Sequence, residues 1–138
     1  MPYLLYLCIN DGSDTRINKE IKTLSKHFDV IYLGIGRDES QSFVKPLCHE
    51  FHLVRGHHKS IGTLVRYVGM FLKLYFTHAY GSIHVINEQL LVIFYPLLWW
   101  SRRRLVADIF DSIFLRSSSA LVRSLQSWVY RLPSAIIV

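Results

Sequence analysis

Hydrophobic positions along this chain come in runs whose spacing switches between that of strands and that of helices. Residues 3–9, YLLYLCI, are continuously apolar, as a strand buried on both faces of a parallel sheet would be. From Asp14 the period changes. Ile17, Ile21, Leu24 and Phe28 recur at helical spacing, with Ser13 or Asp14 available as N-cap. DVIYLGI, 29–35, returns to a β-rich run, so strand, helix and strand follow within the length of one βαβ unit. Residues 36–50 are polar and irregular, and EFHLV, 50–54, reads as a short edge strand before the turn RGHHKS. IGTLVRYVGMFLKLYFTHAY, 61–80, predicts one long helix whose polar positions Thr63, Arg66, Lys73 and Thr77 make a narrow stripe on an otherwise apolar surface. SIHVIN, 82–87, is a strand, 88–101 is helical with Pro96 starting or kinking it, and RLVADIF, 104–110, is another strand. Ser117 to Ser119 offer N-caps for a helix carrying Leu121, Val122, Leu125, Trp128 and Val129 on one face; Pro133 stops it, and SAIIV, 134–138, is a last strand.

The resulting order, β-α-β-β-α-β-α-β-α-β, predicts an α/β fold: a Rossmann-like parallel sheet of about six strands with helices on both faces. Residues 1–138 read as a single domain, with no internal repeat, low-complexity tract or linker. In the usual strand order 3-2-1-4-5-6, the ligand crevice lies outside the carboxyl ends of strands 1 and 4, where the winding reverses.

Composition excludes more than it selects. With 51% hydrophobic and 19% charged residues the chain is neither disordered, collagen-like nor coiled-coil. A formal charge of +6 favours anionic partners such as phosphorylated ligands or acidic lipid headgroups. Nucleic acid is not expected as a partner, because the basic residues are scattered and no nucleic-acid motif occurs. Cys8 and Cys48 lack the spacing of a disulfide framework and point to a reducing compartment. The N-terminus has no basic stretch, and Asn10-Asp11 interrupts its apolar run, which argues against a signal peptide. LLVIFYPLLWW, 90–100, falls well short of the ~20 residues of a bilayer-spanning helix. The expected localisation is cytoplasmic, peripheral at the inner membrane face.

Candidate chemistry gathers at the strand ends. The first loop has Gly12 alone where a dinucleotide fingerprint needs three glycines, and a Walker A loop is absent. Arg16 stands in the first helical turn, where the macrodipole disfavours a cation by about 0.3–1 kcal/mol. Either an ion pair with Asp11 or Asp14 or a ligand in the crevice accounts for it. Asn87 and Glu88 follow the fourth strand. Asp108 lies within the fifth, placed to cap a neighbour or pair with a base, and Asp111 at its end, where a carboxylate either caps a helix or turn or handles sugar hydroxyls or catalytic protons. Cys48, His49, His52, His57 and His58 cluster in sequence without the regular ligand pairs of a zinc site, so no metal is expected. Arg102, Arg103 and Arg104 suit a helix C-terminus. With Lys59, Arg66 and Lys73 they also offer a basic, greasy contact for an anionic membrane surface.

Taken in order, YLCINDGSDTRINKEIKTLSKHFDVIYLGIG, IHVINEQLLVIFYPLLWWSRRRLVADIFD and WVYRLPSAIIV resemble the N-terminal, acceptor-side lobe of family 4 type glycosyltransferases. The resemblance implies one Rossmann-like lobe of a GT-B fold, ending before the donor-binding lobe. It assigns acceptor binding to Asn10, Asp11, Gly12, Asp14, Arg16, Asn87 and Glu88, and a catalytic role to Asp111. It departs from the family where Asn87-Glu88 replaces the commoner His-Asp and Phe110-Asp111 stands for His-Asp or His-Glu.

By that resemblance the chain is the acceptor lobe of a transferase of polysaccharide biosynthesis, acting on a saccharide or lipid-linked acceptor. It is expected to need no cofactor. A nucleotide-sugar donor enters only if a second chain carries the donor lobe. The alternatives are a noncatalytic Rossmann-like interaction module, a truncated relic, or a small-nucleotide binder or oxidoreductase.

Overall fold

The apolar runs become the strands of one sheet, buried in its middle and more exposed at its edges. In the computed structural model, which describes residues 1–109, 116 and 118–137, β1 (Tyr3–Leu7) has Leu4 through Leu7 fully buried. It pairs in parallel with β2 (Asp29–Gly36), Leu4 opposite Val30 and Leu7 opposite Leu33. β3 (Glu50–Arg55) pairs with β2 on its other side, and further along the chain β4 (Tyr80–Val85), β5 (Leu105–Asp108) and β6 (Ala135–Ile137) pair in succession. The sheet order is β3-β2-β1-β4-β5-β6, as the βαβ pattern predicted. β3 and β6 are its edges.

Helices α1 (Thr15–Leu24) and α2 (Ile61–Thr77) belong to a first compact unit, residues 1–81; α3 (Glu88–Ile93), α4 (Tyr95–Trp100) and α5 (Ala120–Val129) belong to a second, 82–138. α1 buries Ile17 and Ile21, two of the four positions the periodicity singled out; Leu24 and Phe28 are half-buried. Asp14 is its N-cap, accepting the Arg16 main-chain N–H at 2.7 Å and so satisfying one of the amide groups a helix start leaves over. α2 buries Thr63, Tyr67, Phe71 and Leu74, and the Tyr67 hydroxyl donates to the carbonyls of Cys8 and Leu33 at 3.1 and 3.2 Å.

Four expectations change. Thr63 does not belong to an exposed polar stripe: it is buried, because Gly56 at the end of β3 lacks the Cβ that would collide with it. The helix from 61 stops at Thr77, where His78 turns extended (φ −124°, ψ 149°), and β4 starts at Tyr80. The helix over 88–101 is two short ones. Phe94 leaves helical geometry between them, and Pro96, with no N–H to donate, stands in the first turn of α4. The face expected to bury on α5 contributes only Val129 to the core; Leu121 and Trp128 are exposed, and Trp128 stacks on Tyr95. Among the described residues no helix is long and apolar enough to cross a membrane.

Candidate functional site

The turn after β1 is held in place on two sides. Asn10 Oδ1 accepts the Gly12 N–H at 2.7 Å, Asp11 Oδ1 accepts that of Ser13 at 3.0 Å, and the Asn10 carbonyl accepts from the Tyr32 hydroxyl at 2.7 Å. Gly34 and Gly36 on β2 make room for it, since a Cβ at Gly34 would strike the Asn10 carbonyl and one at Gly36 the Asp11 side chain. Gly12 itself is buried at φ +82°, accepts the Phe43 N–H on its carbonyl at 2.9 Å, and has no space for a Cβ against Val44 and Ser42. The lone glycine seats the loop in a conformation that other residues rarely adopt.

This seating puts Asp11 on the wall of a pocket of about 300 Å³ at the carboxyl ends of β1, β2 and β3. Ile9 and Asp11 line it from the first loop, Gly36, Arg37, Asp38 and Gln41 from the second, and His57 and His58 from the third. Asp38 accepts the Ser40 hydroxyl at 2.7 Å and the Ser40 N–H at 2.8 Å, and these two bonds, the hydroxyl's first, hold its carboxyl below the usual range. It is therefore anionic at neutral pH. The rings of His57 and His58 stack at 4.4 Å; desolvation first, then the charges of His57 and Lys59, depress the His58 pKa and favour a neutral imidazole. Arg37 is exposed at the pocket mouth. The pocket thus presents two carboxylates, a guanidinium, a carboxamide and two imidazoles over an apolar base of Ile9 and Ile35.

Of the residues expected to bind from the first loop, Asp11 lines this pocket, and Asn10, Gly12, Asp14 and Arg16 are not in its lining. Asn10, Asp11 and Gly12 build the loop, Asp14 serves as the helix cap, and Arg16 is half-buried with its N–H on Asp14. Arg37, Asp38 and Gln41 were passed over as part of an irregular segment. Their signal was position: they are the first polar residues after a buried strand, and strand ends at the carboxyl edge converge. Cys48, His49 and His52 do not join His57 and His58 in a ligand set. His52 Nε2 lies 2.9 Å from Glu50, and no group of three metal-ligating side chains occurs among the described residues.

In the second unit Glu88 is buried at the start of α3 and accepts from the Tyr130 hydroxyl, while Asn87 is the N-cap residue without a side-chain capping bond. Asp108 is buried at the end of β5. Asp111 lies outside the described residues. Arg102, Arg103 and Arg104 form a 3-10 turn after α4, not a helix C-terminus, and the Arg102 guanidinium sits 4.5 Å over the Trp99 ring. Lys59, Arg66 and Lys73 are all exposed, and Arg66 donates to the Arg55 carbonyl at 2.9 Å.

No protein-family model and no curated protein matches the chain. Two solved structures align with it, both short-chain dehydrogenases/reductases from Veillonella parvula DSM 2008. One, of the wide type and in complex with NADP, is 16% identical with a TM-score of 0.45. The other, ethylated, is 12% identical with a TM-score of 0.41. Each alignment covers 95% of this chain and 56% of the other, so the chain spans little more than half their length. The glycosyltransferase expectation is corrected by these findings: the structural neighbours are reductases, and neither sequence comparison returns a family 4 lobe. The physical reason is that a buried first strand, a capped helix start and an acid at a strand end are common property of Rossmann-like sheets, so the three quoted segments carried the fold and not the enzyme.

Proposed function

We propose that the chain is a small-molecule binding domain whose carboxyl-end pocket takes a sugar phosphate, free or as part of a nucleotide. The observation that carries this reading is the convergence of Asp11, Arg37 and Asp38 on one cleft at the carboxyl ends of β1 and β2. A carboxylate accepts from vicinal hydroxyls; a guanidinium pairs with a phosphate through two parallel N–H donors. A volume of about 300 Å³ stands at the small end of ligand sites, the size of one sugar and its phosphate. With no glycine fingerprint to cradle a pyrophosphate, recognition rests on the side chains. Two free cysteines, of which Cys8 is buried with its thiol pushed up to about 12, fit a reducing, cytoplasmic setting.

Calorimetric titration with ribose 5-phosphate, AMP and ADP-ribose tests the reading. At least one probe is expected to bind, with Arg37→Ala weakening it by roughly tenfold or more through loss of a charge-assisted pair. Ribose without phosphate is expected to bind far less. No heat from any phosphorylated probe, or equal affinity in the Arg37→Ala chain, would overturn it.

A further inference from the structure

α2 is apolar on two opposite sides, and only one of them faces the core. Thr63, Tyr67, Phe71 and Leu74 point inward; on the opposite side Ile61, Val65, Gly69, Leu72 and Phe76 follow one another at helical spacing. Ile61 is 79% exposed, Val65 64% and Phe76 74%. Single exposed apolar residues are ordinary, but a row of them along a 17-residue helix is a contact surface. Its flank is uniformly cationic. Arg66 and Lys73 border the row, and beside them lies a groove of about 490 Å³ between α2 and the edge strand β3, with Leu53, Val54 and Met70 in its lining and Arg55 at its side. Between Glu50 and Glu88 the chain contains no carboxylate at all.

We infer that this face of α2 lies on an anionic lipid bilayer, with Val65 and Phe76 in the headgroup–acyl boundary and Arg55, Arg66 and Lys73 on lipid phosphates. An apolar row with cations beside it, on a segment that itself carries no acid, is the pattern of a helix lying in the membrane interface, where long basic side chains reach up to the headgroups. A second copy of the chain is a poor occupant, because it would set the cations of one α2, Arg66 and Lys73, against those of another.

Sedimentation of the full chain with vesicles tests this. Vesicles containing roughly a third phosphatidylglycerol in phosphatidylcholine should pellet most of the protein at low salt, pure phosphatidylcholine little, and salt beyond the Debye screening range should release it. The decisive arm keeps the charge. Val65→Ser with Phe76→Ser alters exposed positions only, and its bound fraction should drop about fivefold or more, with an unchanged circular dichroism spectrum confirming the fold. Arg66→Glu with Lys73→Glu should abolish binding. Full binding by the serine variant would overturn the inference by showing charge adsorption alone. Failure to bind anionic vesicles, or a concentration-dependent dimer that Val65→Ser dissociates, would overturn it too. None of these outcomes bears on sugar-phosphate affinity, which is read with soluble ligands.

Discussion

Gly12 shows how one residue settles what a loop is for. At φ +82° and walled by Val44 and Ser42, it has neither the backbone freedom nor the volume to become alanine without shifting the turn that carries Asp11. Gly12→Ala is expected to cost about 1–3 kcal/mol in denaturant unfolding and to weaken ligand binding alongside. A neutral substitution would mean the turn is not held as described. The sequence identified this glycine but not its task, because a missing fingerprint says what a loop does not bind and nothing of the volume around it. Arg37 and Asp38 show the reverse case. Nothing in their local pattern marks them, and only the sheet, by bringing the ends of β1 and β2 side by side, makes them neighbours of Asp11.

At the scale of elements, strands were legible because a buried parallel strand writes itself as an unbroken apolar run, and α1 because its cap and its period agree. Helices at 88–101 and 120–129 were read less well, since their apolar faces are wider than the core they meet and periodicity cannot say which side is covered. Trp128, stacked on Tyr95 and still half-exposed, is the clearest instance. The edge strand β3 is tied to the end of α2 by a contact no pattern predicts. Glu50 lies 2.9 Å from His52 Nε2 and 3.4 Å from the His78 ring that ends the helix. The bond from His52, then the charge of His78, lower the Glu50 pKa in the folded chain. A carboxylate with a depressed folded pKa adds stability above its unfolded value, near 4.5, and loses it as pH falls through the folded one. Glu50→Gln should therefore unfold at lower temperature than the native chain near pH 6, with the gap closing as the pH drops below about 4. A gap that stays constant across this range would assign Glu50 a packing role instead.

For the molecule as a whole, the order β3-β2-β1-β4-β5-β6 was recoverable from alternating runs, and the activity was not. Rossmann-like sheets share their punctuation, so a likeness spread over soft motifs identified the scaffold and misassigned the enzyme. What distinguishes this chain is local: a short pocket of mixed charge over β1–β3, and a helix apolar on its outer side. The most direct measurement of the first claim is a titration followed by amide chemical shifts in the labelled chain. On adding AMP, the amides of Asp11, Gly36, Arg37, Asp38 and His57 should shift together along one saturating curve. Shifts confined to other residues, or none at millimolar ligand, would contradict it.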